Sequence, residues 1–157
     1  MTDNTFASVS GIVMRDGKVL LVRQSYGAAA GQLVIPGGYL AEGEMPCSAL
    51  EREILEETGV TVSAISLFSI RFSKKDWWAI FEAEYISGEP VSDQNENSEA
   101  LFLGLDDVLS RKDLTGTTKE ILENYRAGSE LTLSDFCPSG VEPINYQLFF
   151  SANNTIN

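Results

Sequence analysis

The stretch Gly37-Gly38-Tyr39-Leu40-Ala41-Glu42-Gly43-Glu44-Met45-Pro46-Cys47-Ser48-Ala49-Leu50-Glu51-Arg52-Glu53-Ile54-Leu55-Glu56-Glu57-Thr58-Gly59-Val60 decides how this chain is read. Pro46 fits the first turn of a helix, where its missing N–H costs little, and Gly59 fits the left-handed position just past a helix end. The spacing therefore predicts a helix over Met45–Thr58. Advancing about 100° per residue, Glu53, Glu56 and Glu57 fall within a sector roughly 100° wide. Cys47, Leu50 and Ile54 occupy an adjoining sector suited to packing on a sheet. Between Gly38 and Val60 stand six acidic residues and one basic residue, Arg52, so this segment carries 1 − 6 = −5. Like charges at i, i+3 and i+4 destabilise a bare helix. Either the face is solvated, with Arg52 pairing with Glu56 at i+4, or a bound cation offsets the repulsion.

The flanks read as strands. Phe6–Met14, Lys18–Gln24 and Leu33–Ile35 precede the helix, with turn chemistry at Arg15-Asp16-Gly17 and a breaker at Pro36-Gly37-Gly38. Thr61–Phe72 and Trp77–Ile86 follow, the latter with Trp77, Ala79, Phe81, Ala83 and Tyr85 on one face and Glu82 and Glu84 on the other. A polar loop over Asp93–Ser98 leads to a short strand, Ala100–Leu103. Helical signals recur at Asp106–Leu109 and Thr117–Tyr125. Strands before, between and after helices predict a mixed sheet with helices on its faces. From Gly128 onward the chain becomes polar, with Tyr146–Phe150 as a candidate strand and Ser151–Asn157 as a frayed end. We expect one domain over 1–128 and a C-terminal extension over 129–157, packed on the same domain or on a dimer partner.

Composition narrows the function. The chain has 157 residues, hydrophobic content of 43% and a formal charge of −12. The size and composition fit a single domain with its own core. The acidic balance argues against a nucleic-acid polymer as partner, because such binding rests on cationic contacts to phosphate. There is no histidine, which excludes a Ser-His-Asp triad, a Cys-His pair and an imidazole zinc site. Cys47 and Cys137 lack metal-ligand spacing and are expected to be free thiols in a reducing compartment. No secretory signal or membrane-length apolar run is visible, so a cytoplasmic protein is expected.

The full spacing is Gly38-x5-Glu44-x7-Arg52-Glu53-Ile54-x-Glu56-Glu57-x-Gly59-Val60. From average residue usage, a chance match in a chain this long is on the order of one in ten million. The pattern resembles the Nudix box of the Nudix hydrolases at every defining position. The resemblance covers Phe6 to about Ala127. It implies an α/β/α sandwich around a mixed β-sheet, with the box forming a loop–helix–loop. It also implies Mg²⁺- or Mn²⁺-dependent hydrolysis of the pyrophosphate linkage in a nucleoside diphosphate joined to another moiety. Nucleotide sugars, ADP-ribose-like molecules, dinucleotides and nucleoside triphosphates all fall in that class.

By the same resemblance, Glu53 and Glu57 are metal ligands, and Glu56 is a ligand or the base that takes a proton from water. A carbonyl of Gly37 or Gly38 completes the coordination. Arg52 orients the carboxylates, while Glu44, Gly38 and Gly59 are structural within the motif. Without histidine, a general base must be a carboxylate or a metal-activated water. A further acidic ligand is sought on a later loop, where Glu96 and Glu99 are the candidates and Glu96 lies further into the loop. Arg23, Arg71, Lys74 and Lys75 are candidate contacts to distal phosphate or sugar, with a surface role the preferred reading for Lys74 and Lys75. Trp77 and Trp78 must face opposite sides of a strand, so one packs and the other is free to stack on a base. Tyr26 and Phe72 have weaker claims.

Narrower family marks are absent. Lys75 stands where ADP-ribose hydrolases carry a proline, no tyrosine occurs at 76–78 as in dinucleoside polyphosphate hydrolases, and the Ser-Gln-Pro-Trp-Pro-Phe-Pro-x-Ser stretch of NADH pyrophosphatases is not found. The competing reading is a catalytically silent nucleotide-binding or regulatory module on the same fold. Homodimers are common in the family, and a homodimer is compatible with the C-terminal extension.

Overall fold

The computed structural model describes residues 6–73, 76–127, 131–133, 135, 139–145 and 149–151. Strands β1 (Ala7–Arg15) and β2 (Lys18–Gln24) form a hairpin, followed by β3 (Leu33–Val34), β4 (Gly37–Tyr39) and helix α1 (Pro46–Thr58). Then come β5 (Thr61–Phe72), β6 (Trp77–Ser87) and β7 (Asn97–Gly104). Helices α2 (Leu105–Leu109) and α3 (Gly116–Ala127), strands β8 (Leu131–Leu133) and β9 (Phe149–Ser151), and a 3-10 turn at Pro143–Asn145 complete the described elements.

One mixed sheet organises the molecule, in the order β3-β2-β1-β6-β5-β8-β9, with β4 also on β1 and β7 on β2. The β1–β6 pair is parallel, from Ala7↔Trp77 to Met14↔Glu84, whereas the other strand pairs are antiparallel. Alternation along the central strands divides the core in two. Val9, Val13, Leu20, Phe81 and Ala83 pack with Ala49, Leu50 and Ile54 of α1. Ile12, Val19, Leu21 and Ile80 pack with Val108 of α2 and with Ile121 and Leu122 of α3. Because successive side chains of a strand point to opposite faces, a sheet covered on both sides needs apolar residues at both parities. The result is the expected α/β/α sandwich.

Four details differ from the sequence reading. Gly37 and Gly38 of the Pro36-Gly37-Gly38 breaker themselves belong to β4, paired as Ser10↔Gly37, Val9↔Gly38 and Ser8↔Tyr39. A Cβ on Gly37 would stand 2.0 Å from the Val9 carbonyl oxygen, so the close approach demands glycine there. The polar loop ends earlier than expected, since β7 already begins at Asn97. Ile35 lies outside β3. Finally, the Glu82 face of β6 is not polar throughout, because Trp78 and Ile80 share it and pack in the second core cluster.

At the far edge, β8 pairs with β5 and β9 with β8, extending the same sheet. Of the expected C-terminal strand, Tyr146, Gln147 and Leu148 lie outside the described residues, as do Lys74, Lys75, Cys137 and 152–157. Cys47 is half-buried and packs against the first core cluster. Among the described residues, no helix is long and apolar enough to cross a membrane.

Candidate active site

Local chemistry fixes both ends of α1. Met45 precedes it in extended conformation with Pro46 at the first position, and Gly59 closes it at φ 72°, donating its N–H to Leu55 O. Thr58 Oγ1 donates to Ile54 O at 2.6 Å and accepts the Val60 N–H at 3.2 Å. With Leu50 and Ile54 in the core, the carboxylates of the next sector are turned toward β4 and its loop.

Arg52 organises that edge. Its Nε and Nη2 donate to the two carboxylate oxygens of Glu44, at 2.7 and 2.8 Å. Nη1 reaches Glu53 at 2.8 Å and Glu56 at 3.2 Å, and Nη2 also donates to Tyr39 O at 3.2 Å. Glu44 Oε2 accepts the Ala41 N–H at 2.8 Å, tying the loop before α1 to the same guanidinium. The hydrogen bond from Arg52 is the main reason the Glu44 carboxyl is held below its ordinary range. The same bond to Glu44 raises the Arg52 pKa further.

Glu57 is 6% exposed, and its Oε2 accepts the Gly37 N–H at 3.2 Å. Burial, followed by contact with Glu96, pushes its carboxyl up to about 9. Burial also raises Glu53, against the opposing pull of Arg52. A Cβ on Gly38 would sit 2.4 Å from Glu53 Cδ, so the glycine lets that carboxylate lie against the β4 backbone. Ligand oxygens of Glu53, Glu57 and Glu96 lie within 4.8 Å of one another. A solvated acidic face does not describe this arrangement. Among the three helix glutamates only Glu56 is well exposed, its side chain 59% accessible against 13% for Glu53.

The other candidates separate. Glu99 stands opposite Arg23 across β2 and β7 and accepts from Arg23 Nε at 2.9 Å. Arg23 Nη1 further donates to Gly31 O at 2.9 Å and Asp113 at 3.1 Å. These two residues answer each other and Glu99 lies outside the carboxylate group, because the register places it on the strand rather than in the loop. Arg71 pairs with Asp76 at 2.5 Å and lies 5.4 Å from the Trp78 ring centroid. Trp78 Nε1 donates to Ser10 Oγ at 3.0 Å, and Ser10 is the β1 partner of Gly37. Arg71 and Trp78 thus share a sheet face adjoining the glycine pair. Trp77 faces the opposite side, between Phe6 and Phe72, with ring centroids 5.4 and 4.9 Å away.

Sequence reasoning gave Tyr26 little weight and did not single out Tyr39. Both rings are largely exposed. Partial burial of its hydroxyl, then the charges of Glu96 and Glu57, raise the Tyr26 pKa. Its place in a loop far from the box left no signal in spacing.

The donor set suits a hard divalent cation. All three clustered side chains offer carboxylate oxygens, Glu57 is buried, and among the described residues it has no ion pair. Oxygen ligands of this kind are what Mg²⁺ and Mn²⁺ take.

Comparisons with known proteins place these features. The chain is 34% identical over 120 residues to a nucleoside triphosphate pyrophosphatase/Nudix hydrolase fusion protein of Bifidobacterium longum, spanning 68% of this chain and 25% of that one. Over 63 residues it is 36% identical to an ADP-ribose pyrophosphatase of Methanocaldococcus jannaschii, 40% of this chain and 37% of that protein. It therefore spans well under half the length of these curated relatives. A MutT NUDIX hydrolase of Burkholderia pseudomallei superposes with TM-score 0.63 at 26% identity, covering 75% of this chain and 95% of that one. A NUDIX hydrolase of Nitrosomonas europaea superposes with TM-score 0.72 at 20% identity, over 81% and 73% of the two chains, a likeness of fold alone. The NUDIX domain model matches residues 5–125, and with the helix, glycine pair and carboxylates in place the chain belongs to the NUDIX family.

Proposed function

We propose that this chain is a divalent-metal-dependent pyrophosphohydrolase, cleaving the pyrophosphate linkage of a nucleoside diphosphate joined to another moiety. The observation that carries the proposal is the convergence of Glu53, Glu57 and Glu96 oxygens within 4.8 Å, with Glu57 buried and lacking an ion pair among the described residues. Glu53 and Glu57 from the helix and Glu96 from the loop would hold the cation, joined by a carbonyl of Gly37 or Gly38. Mg²⁺ or Mn²⁺ supplies charge neutralisation at the pyrophosphate oxygens and acidification of the attacking water.

The chain's own groups do the rest. Arg52, held on two sides by Glu44, fixes the orientation of Glu53 and Glu56. Glu56, the accessible member of the helix set, takes the proton from the attacking water. The Gly37 N–H, through its bond to Glu57, sets that carboxylate against β4. Trp78 and Arg71, adjoining the glycine pair, offer a ring face and a cation to the nucleoside side of the substrate. The NUDIX family, the M. jannaschii relative and the all-oxygen donor set support this reading. A cytoplasmic setting, where nucleotides and Mg²⁺ meet, fits the same chemistry.

The test is a panel of nucleotide sugars, ADP-ribose, dinucleotides and nucleoside triphosphates incubated with purified protein and Mg²⁺, with phosphate measured after added phosphatase. Glu53→Gln, Glu56→Gln and Glu57→Gln should each lower turnover by orders of magnitude while circular dichroism shows the fold retained. Wild-type turnover in a folded triple variant defeats the proposal. So does nucleotide binding without product from any substrate, which would leave a binding module instead.

A further inference from the structure

The third carboxylate of the cluster comes from a loop, and a loop glutamate usually sweeps many rotamers. Glu96 does not stand on an ordinary loop. Asp93 Oδ1 accepts three successive backbone N–H groups, from Asn95 at 2.9 Å, Glu96 at 3.0 Å and Asn97 at 3.1 Å. Ser92 Oγ accepts from Gln94 N at 2.9 Å and donates to Asn97 O at 2.8 Å, while Gln94 takes a left-handed φ of 58°. Ser25 N–H donates to Glu96 O at 3.0 Å, so the peptide groups on both sides of Glu96 are held.

This loop is also fastened to α1. A helix ends with four carbonyls that lack partners inside the helix. Here Asn97 Nδ2 donates to Glu57 O at 3.0 Å and Val91 N–H to Thr58 O at 2.8 Å. The helix residue whose carboxylate meets Glu96 is thus the residue whose carbonyl is gripped by Asn97. Asn97 is 1% exposed, and its Oδ1 is buried with no hydrogen-bond partner among the described residues. An unsatisfied buried oxygen costs stability, so stability alone does not account for an amide at this position. The bond it makes to α1 does.

We infer that Asn97 and Asp93 are positioning residues that latch the Glu96 loop to the C-terminal turn of α1, fixing Glu96 against Glu57 for cation binding. The inference rests on the metal-dependent reading above and deepens it. Asp93 shapes the loop, Asn97 sets its distance from the helix, and the carboxylate triad is completed only when both hold. Partners that orient a ligand typically change metal affinity by about 10–100-fold when removed.

The test uses the full chain and Mn²⁺ as the probe, with free Mn²⁺ followed by electron paramagnetic resonance in the absence of nucleotide. Asn97→Leu removes the donor at similar volume, Asp93→Ala removes the loop acceptor, and Asp93→Asn keeps an acceptor oxygen for the three N–H groups. Asn97→Leu and Asp93→Ala should each weaken Mn²⁺ binding about tenfold, approaching the loss in Glu96→Gln. Asp93→Asn should recover most of it. Combined with Glu96→Gln, neither should add a further loss, because both act through Glu96. A merely structural role would lower the melting temperature without that non-additivity. Mn²⁺ affinity within twofold of wild type in folded Asp93→Ala, or losses that add to Glu96→Gln, would overturn the latch. Failure of the wild-type chain to bind Mn²⁺ would instead overturn the metal reading itself.

Discussion

Replacing Glu57 with glutamine should make the metal-free protein more stable, by an amount set by pH. Burial pushes the Glu57 carboxyl from an ordinary 4.5 up to about 9. Between those values the folded chain keeps the proton and the unfolded chain loses it, so νU − νN is about −1. Stability therefore falls as pH rises, by about 1.4 kcal/mol per pH unit, from about 4.5 to about 9 and no further. At pH 7 the upper bound on this cost is about 3 kcal/mol. Relaxation and water entry reduce it, leaving roughly 1–3 kcal/mol. In a domain of this size that is a rise in Tm of about 3–10 °C for Glu57→Gln.

Glutamine fits the experiment because it keeps an oxygen for the Gly37 N–H and carries no charge in either state. Thermal unfolding in EDTA should show the variant ahead of wild type at pH 7, further ahead at pH 8.5, and nearly level at pH 5. With saturating Mg²⁺ the order should reverse, since ligand at a hundred times Kd adds about 2.7 kcal/mol to whichever protein binds it. A variant less stable than wild type at every pH in EDTA, or a gap independent of pH, would refute the argument from burial.

Two further tests separate the roles of neighbouring residues. Gly38→Ala places a Cβ against the Glu53 carboxylate, a movable group, whereas Gly37→Ala places one 2.0 Å from the Val9 carbonyl oxygen, which is backbone. Mn²⁺ titration and urea unfolding should show lost affinity of about tenfold with little destabilisation for the first. The second should be destabilised by more than about 2 kcal/mol. Glu96→Gln should lower turnover far more than Glu99→Gln. The latter removes a partly exposed pair with Arg23, a change of at most about 1 kcal/mol seen in the melting temperature.

What the sequence disclosed follows from how local each feature is. The ends of α1 were legible because Pro46 and Gly59 act through their own backbone. The carboxylate sector was legible because helical geometry fixes it once the helix is granted. Strand β4 was not, because the two glycines of Gly37-Gly38-Tyr39 disfavour extended structure. Its existence comes from the edge of β1, where only a residue lacking Cβ approaches Val9. The same limit applies to Trp77 and Trp78. Alternation placed them on opposite faces, but the β1 register decided which one adjoins the glycine pair. Glu96 and Glu99 looked alike in a polar run. Pairing of Arg23 with Glu99 and of Gln24 with Asn97 leaves a register shift between them, and this irregularity ends the ladder just before Glu96. Such bulges commonly re-aim a side chain beside a site.

The charge at this edge shows why one arginine does not extinguish the site. Glu44, Glu53, Glu56, Glu57 and Glu96 face a single guanidinium, and a cation placed freely among them would neutralise the carboxylates it touched. Arg52 is not free. Two of its nitrogens are taken by Glu44, which in turn is fixed by the Ala41 N–H. The remaining nitrogen reaches Glu53 and Glu56 from the outer side of the helix, and no bond runs from Arg52 to Glu57 or Glu96 among the described residues. Glu44 therefore anchors the guanidinium at the Glu53 and Glu56 side, away from Glu57 and Glu96. Glu57 stays buried with no ion pair among the described residues, and a divalent cation bound there would take the place of the proton it holds. On the metal-dependent reading proposed above, a paired outer rim beside a buried Glu57, more than the number of glutamates, is what would fit this helix face for a cation.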